Sequence, residues 1–310
     1  MRDPVTSVII PSRNRPGQIA CCLDALAAQI VEPGSFEVIV VDDGSEPRLE
    51  LDPTRWADAF PLTVIHQHNT GPAGARNRGV DAAKGEFLAF TDDDCLPSPT
   101  WLAELVTALR DQPDAMVGGS TFNGLVDNAF SETSQVIIEM VYVHFNRDPA
   151  NAYFFASNNI ACCRDRYLAS GGFDIGFPGA AAEDREICDR WRMQGRPLVW
   201  QKSAVIEHRH RQNLLSFSRL HFRYGQGAFI YQQMRRLRGS GTMADDLGFH
   251  RSLPSLAAKS LARHPPLWRL AIGTNLLLWQ LVNACGFMYE WAFGPTPREN
   301  AGKKSENRAG

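Results

Sequence analysis

The sequence predicts an α/β fold, a doubly wound and mostly parallel sheet flanked by helices, with a helical C-terminal extension. Continuous apolar runs alternate with helix-period segments through the first ninety-odd residues, and the runs end in carboxylates or turn residues. Beyond about residue 213 the strand-like runs stop and the patterning is helical. Apolar runs without alternation suit parallel strands covered on both faces. Strand, helix and strand repeated in this order imply an open, doubly wound sheet.

The elements follow in order. "VTSVIIP" is a β-branched run stopped by Pro11. A helix from about Pro16 to Ile30 places Ile19, Leu23, Leu26 and Ile30 on one face. "FEVIVVDDGS" reads as the second strand and "LTVIHQ" as the third, with "GPAGARNRGVDAAKG" a helix opening after Gly71-Pro72. "EFLAFTDDD" closes the series. Ligands bind beyond the carboxyl ends of such strands, where Asp42, Asp43, Asp92, Asp93 and Asp94 fall. Further on, the pattern gives a helix near 99–111, a short strand at "AMVGGS" and a helix near 131–146. A strand at "SNNIACCR", a turn at "SGGFD" and a helix near 183–194 follow, and the polar tail after Pro295 is expected to be disordered.

Composition narrows the class. With 310 residues, 44% hydrophobic and 21% charged, the chain is globular, one large domain or two small ones. A net charge of −2 argues against nucleic acid as the main partner. Seven cysteines without a Cys-x-x-Cys, and no long apolar run at the N-terminus, point to structural thiols in a reducing cytoplasm.

Three consecutive carboxylates at a strand end are unfavourable unless a positive charge neutralises them. One aspartate could cap the following helix, but a cap needs only one. Carboxylates in this setting suit a hard divalent cation such as Mg²⁺ or Mn²⁺, with a phosphate completing the coordination.

"PSRNRP", "VIVVDDGS", "GPAGARNRGVDAAKGEFLAFTDDDC", "GGFD", "EDREICDRWRMQG" and "HRH" occur in that order. Together they resemble the family-two glycosyltransferases, which have the GT-A fold, from about Val5 to about Gly227. The resemblance implies transfer of a sugar from a nucleotide diphosphate sugar, with inversion, to an acceptor hydroxyl. A UDP-sugar is the favoured donor, and the acceptor is a sugar, a lipid-linked molecule or another small molecule. It further implies a nucleotide-sugar-binding half at 1–98 and an acceptor-binding, catalytic half of the same domain at 99–215. A helical region at 216–295 and a tail at 296–310 complete the division.

Residue by residue, the resemblance assigns Pro11 and the loop around Arg13 and Arg15 to the nucleotide pocket. Asp43 would bond the base, and Arg76 the base or the diphosphate, helped by an electropositive helix N-terminus. Asp92 would sit by the ribose or the metal, Asp93 by the ribose, and Asp94 would be the principal metal ligand. The family writes this motif as Asp, any residue, Asp, so the middle Asp93 leaves the division of roles open. Glu183 and Asp184, taken alone, are ordinary first-turn carboxylates. Between "GGFD" and "RWRMQG" they match the family's Glu-Asp pair, with Asp184 the general base and Glu183 shaping the acceptor site. His208, preferred to His210, would complete the metal site. Asn158, Asn159 and Trp191 are assigned to the acceptor or donor sugar, although the asparagines could equally satisfy a turn.

Two rival readings stand beside this one. A nucleotidyltransferase shares the sheet and the acidic metal site, but "PSRNRPGQ" lacks a Gly-rich loop with a lysine. A catalytically silent binding or scaffold protein would show a broken motif, whereas Asp94, Asp184 and His208 are all present.

Residues 270 to 289 carry no formal charge and match a bilayer's thickness as helix. On a helical wheel Asn275, Gln280, Asn283 and Glu290 gather on one side, and Leu277, Leu278, Leu281, Ala284, Cys285 and Met288 on the other. Upstream, Arg235, Arg236, Arg238, Arg251, Lys259, Arg263 and Arg269 form a basic run suited to anionic lipid. Three readings are open: a helix lying on the inner face of the cell membrane, a packing helix or homodimer interface, and a transmembrane span.

Overall fold

The computed structural model describes residues 4–177 and 179–294. Its sheet begins with β1 (Thr6–Ser12), β2 (Phe36–Asp43), β3 (Leu62–Gln67) and β4 (Phe87–Thr91), all parallel and ordered β3-β2-β1-β4. Between them run α1 (Pro16–Ala27) and α2 (Gly71–Ala82). Successive side chains of a strand point to opposite faces. Ile9, Ile39, Leu88 and Phe90 accordingly join the core on one face, and Val8, Ile10, Val38, Val40 and Ala89 the core on the other. Helix α1 stops before Ile30, which is exposed and instead hydrogen-bonds through its backbone N–H to Pro99.

The sheet then extends through β5 (Cys95–Pro97), β6 (Met116–Asn123), β7 (Asn159–Cys163) and β8 (Leu198–His208) to eight strands in the order β3-β2-β1-β4-β7-β6-β8-β5. β7 runs antiparallel to both β4 and β6, and β5 antiparallel to β8. Helices α3 (Trp101–Asp111), α4 (Ala129–Phe145), α5 (Arg164–Ser170) and α6 (Glu183–Met193) fill the connections. The sequence pattern catches β6 only in its first half and misses β5, which is three residues long and carries no period of its own.

Three long helices finish the described chain: α7 (Leu214–Arg238), α8 (Met243–Leu261) and α9 (Pro266–Phe293). Helices α7 and α9 touch backbone to backbone. A Cβ on Gly286 would lie 2.0 Å from the Phe222 carbonyl oxygen, and one on Gly225 would lie 2.0 Å from that of Asn283. Only glycine permits this approach.

α9 buries a mixed face, in which Ile272, Leu276, Trp279 and Gly286 sit with two polar residues. Asn275 and Glu290 are buried, and Leu277 and Leu281 are 69% and 67% exposed. The Asn275 amide donates to Thr133 Oγ1 at 3.2 Å, and Glu290 accepts from the Gln226 amide at 2.9 Å. Leu267, Leu270, Met288, Trp291 and Phe293 are exposed as well. By length and mean hydropathy (28 residues, 1.3) this helix could cross a membrane. The basic run does not form one patch. Arg238 pairs with Glu186 and Arg263 with Glu139, while Arg269 donates to the carbonyls of His264 and Ala262. The expected tail at 296–310 lies outside the described residues.

Candidate active site

A cavity of about 1420 Å³ opens at the carboxyl ends of β1, β2 and β4. Its polar end is lined by Pro11, Arg13, Arg15, Asp43, Arg76, Asp92, Asp93, Asp94, Asn158, Glu183, Asp184 and His208. Chain reversal makes this possible. The Cys95 N–H donates to the Asp92 carbonyl at 3.1 Å, folding residues 92–95 into a tight turn between β4 and β5. β5 then pairs with β8 with Cys95 opposite His208, which delivers the histidine beside Asp94.

The turn sends its three carboxylates to different partners. Asp92 accepts from Arg76 Nη2 at 2.6 Å. Asp93 accepts from the Ser12 hydroxyl at 2.8 Å and from Arg15 Nη1 at 2.9 Å. Asp94 meets the same Arg15 nitrogen at 2.9 Å, His208 Nε2 at 3.1 Å and, more distantly, His210 Nδ1 at 3.8 Å. Arginines and histidines therefore supply much of the positive charge within the chain itself. Burial lifts the Asp93 carboxyl to about 6 against the pull of Arg15. Asp94 is equally buried, yet His208 and Arg15 hold it well below the usual carboxylate range. For His208, burial opposes the charge, but the hydrogen bond and charge of Asp94 outweigh it and raise the ring's pKa.

Asp43 is anchored by the start of α2. It accepts from the backbone N–H groups of Thr70 at 2.8 Å and Gly71 at 2.9 Å, and from Gln67 at 2.8 Å. A carboxylate offers about four acceptor positions, and the Gly71 contact is alone on Oδ2, so capacity remains toward the cavity. Neighbouring Asp42 turns away to His66, Ser45 and Leu49 and is structural.

Arg76 connects the acidic turn to α6. It is 3% exposed, with Nη1 3.5 Å from Glu183 Oε1. Its Nε and Nη1 have no hydrogen-bond partner among the described residues. Buried donors of this kind normally find one. Ala182, which precedes α6, sits in the left-handed region at φ 69°, uncommon for a residue with a Cβ. That bend presents Glu183 and Asp184 to the cavity, and Glu183 accepts from the Ala181 N–H at 2.6 Å. Burial, reinforced by Asp184, lifts Glu183 to about 7. Asp184 is raised too, by burial and against the charge of Arg185.

The donor set fits a hard divalent cation. Ligand atoms of Asp94, Cys95 and His208 lie within 4.8 Å of one another. A carboxylate and an imidazole leave the remaining positions to phosphate oxygens and water, as Mn²⁺ and Mg²⁺ prefer. Cys95 is a poor third ligand, since burial pushes its thiol well above the ordinary value and keeps the proton on. Asp92, with Oδ1 on Arg76, stands beside this cluster and keeps its other oxygen toward the cavity.

Two assignments are corrected. Asn159 faces away from the cavity, accepting from the Trp101 indole at 2.8 Å and donating to the carbonyls of Ser120 and Ala204. Trp191 is wholly buried in the core, with its indole N–H on the Asp114 carbonyl at 3.1 Å. Asn158 does line the cavity, and its Oδ1 has no partner among the described residues. The sequence offers no spacing signal for Ser12, which holds Asp93, or for His221, which lines the cavity with both ring nitrogens unpartnered among the described residues.

Comparison with known proteins places this geometry. The family model "Glycosyl transferase family 2" matches residues 7–166. The glycosyltransferase AglE of Haloferax volcanii is 34% identical over 119 residues, covering 38% of this chain and 39% of that protein. The pre-mycofactocin glycosyltransferase of Mycobacterium tuberculosis is 29% identical over 212 residues, covering 67% of this chain and 43% of that one. The chain thus spans about two-fifths of the length of these relatives. A mannosyltransferase from Pyrobaculum calidifontis, solved in complex with GDP-Man and Mn²⁺, superposes with a TM-score of 0.64 at 19% identity. That likeness covers 96% of this chain and 89% of the other, and the shared fold is GT-A. The family model spans over half of the chain, and the chain belongs to glycosyl transferase family 2.

Proposed function

We propose that the protein transfers a sugar from a nucleoside diphosphate sugar to an acceptor hydroxyl, with inversion and with help from a divalent metal. One observation carries the reading: the acidic turn Asp92–Asp94 and the Glu183–Asp184 pair line one cavity, with the buried Arg76 between them. In this reading Pro11, Arg13 and Asp43 hold the nucleoside, and Ser12 orients Asp93 toward the ribose. Arg15 and the free donors of Arg76 bind the diphosphate. Asp94 and His208 hold the metal, which when bound neutralises charge on the departing diphosphate. A UDP-sugar is the first donor to test, with GDP-mannose beside it because the Pyrobaculum enzyme was solved with that nucleotide sugar.

The chemistry is a single displacement. The acceptor oxygen attacks the anomeric carbon as the bond to the diphosphate breaks, and Asp184 takes the hydroxyl proton. Burial favours the neutral form of both Glu183 and Asp184, so the pair shares its protons near neutrality rather than standing fully ionised. Arg76 opposes this and keeps a carboxylate available as base. The outward apolar face of α9, rich in exposed Leu, Trp and Phe, supports attachment of a cytoplasmic enzyme to a membrane surface. Its polar stripe is used up against α4 and α7, so a lying helix fits better than a spanning one.

A panel of nucleotide sugars, assayed for nucleoside diphosphate release with Mn²⁺, with Mg²⁺ and with excess chelator, tests the reading. One donor should release its nucleotide only with metal, and Asp94→Ala should weaken donor binding and turnover together. Turnover unchanged in chelator overturns the metal's role, and no release from any donor overturns the whole proposal. NMR of the product's anomeric proton decides inversion.

A further inference from the structure

The cavity is larger than a nucleotide sugar and a small acceptor require. Small-molecule sites run to roughly 300–1,000 Å³, against about 1420 Å³ here. The surplus lies away from the carboxylates. There the lining is mixed: Ile138 and Phe145 from α4, Phe249 from α8 and Trp279, Ala284 and Met288 from α9 stand beside the polar Arg223, His250, Gln280 and Asn283. Leu247 and Met288 are exposed at the rim, and Leu281 and Leu277 continue the apolar surface outward along α9. One continuous space therefore runs from a charged catalytic end to a channel of largely aliphatic and aromatic lining beside the exposed leucines of α9.

His221 is a further polar group in the cavity wall. It is 2% exposed, edge-on to the rings of Phe217, Tyr224 and Trp279, and neither ring nitrogen has a partner among the described residues. A buried polar group left in this state destabilises the fold unless something bonds to it. The cavity it lines is where such a partner can come from.

We infer that the acceptor is an amphipathic lipid. Its hydroxyl-bearing head reaches Asp184, a polar atom near the head bonds His221, and its hydrocarbon chain lies in the channel between α4, α8 and α9. The inference rests on the proposed glycosyl transfer and deepens it by naming the acceptor class. A water-soluble sugar would leave the apolar channel hydrated, whereas an alkyl chain gains about 0.8 kcal/mol for each methylene removed from water.

The test uses n-alkyl β-glucosides from butyl to decyl, each below its micellar concentration, titrated calorimetrically into the full chain. Affinity should climb about three- to fourfold per methylene until the channel is filled, with a heat-capacity change that becomes more negative as the chain lengthens. Ala284→Trp, at the exposed channel wall, should flatten that climb. Ile138→Asp, half-buried on the opposite wall, should do the same if the first variant folds poorly. His221→Phe should weaken every member by roughly threefold to tenfold without changing the slope. Affinity independent of chain length, or an unchanged slope in both channel variants, overturns the inference. Metal-dependent release of nucleoside diphosphate from donor alone is followed in the wild-type chain, and its absence there would count against the glycosyltransferase reading, not against the channel.

Discussion

Arg76→Met puts the link between donor site and base to a quantitative test. The guanidinium is 3% exposed and faces Asp92 at 2.6 Å and Glu183 at 3.5 Å. Breaking a fully buried ion pair costs about 3–5 kcal/mol, because the abandoned charge stays desolvated. The side chain of Asp92 is 30% exposed and regains water, and Glu183 can take up a proton, so the lower end applies. A loss of roughly 2–3 kcal/mol lowers the melting temperature of a chain this size by about 4–6 °C. Arg76→Lys keeps the charge but not the planar fork, and should fall between the two.

The same variant should move the pH dependence of turnover. Arg76 favours the ionised forms of Glu183 and Asp184, so its removal raises their pKa values. The acid limb of kcat, measured at saturating donor and metal, should shift to higher pH. Turnover at pH 7 should drop about tenfold for each 1.4 kcal/mol of lost charge stabilisation, recovering in part above pH 8. Stability follows the same sign. A carboxyl raised in the folded state from 4.5 to about 7 favours folding most below 4.5 and loses that contribution as pH rises through 7. Arg76→Met should therefore be more destabilised at pH 8 than at pH 5.5. An acid limb that stays put, together with a melting temperature within a degree of wild type, would falsify the linking role of Arg76.

Other outcomes follow from the same geometry. Asp184→Asn should cut kcat by roughly 10²–10⁴ with donor KM nearly unchanged; normal turnover would move the base to Glu183 or elsewhere. Gly286→Ala places a methyl 2.0 Å from the Phe222 carbonyl oxygen. Forcing α7 and α9 apart should cost about 1–3 kcal/mol, offset by up to ~1 kcal/mol of helix propensity; an unchanged or raised melting temperature would contradict the tight crossing. The protein should float with anionic liposomes, and the double change Leu277→Glu with Leu281→Glu should release it. Resistance to alkaline carbonate would argue for a span, and absence from the liposome fraction for a packing or dimer face.

What was legible in the sequence was the half where one signal dominates. The parallel strands announce themselves because both faces are buried, so "VIIP" and "VIVV" carry no polar interruption. Their polar ends then fall together at one edge of the sheet, as strand alternation with helices requires. Asp43, Asp93 and Asp94 could be brought to one place on that logic, whereas Arg76, Asp184 and His208 came only from the resemblance. Asn159 could not. It stands beside Asn158 at the start of β7, and adjacent strand residues face opposite sides, so one asparagine lines the cavity and the other is sealed behind the sheet. Nothing in "SNN" says which. Trp191 failed for a related reason. It shares one face of α6 with Glu183 and Ile187, and only the helix's placement along its axis decides which end of that face meets the cavity and which the core.

The C-terminal helix shows the same limit at larger scale. A wheel separates Asn275, Asn283 and Glu290 from Leu277 and Leu281, but it cannot say which side faces protein. In a globular setting the apolar stripe goes inward. Here Ile272, Leu276 and Trp279 are buried together with Asn275 and Glu290, which bond Thr133 and Gln226, and two glycines let the backbones meet. A second stripe, with Leu277 and Leu281, is left facing out beside the cavity. A water-facing stripe of this size would be an aggregation hazard. Attachment to a lipid surface, as proposed, would cover that stripe and place hydrocarbon at the channel mouth, which is why the liposome and alkyl-glucoside experiments test one physical idea.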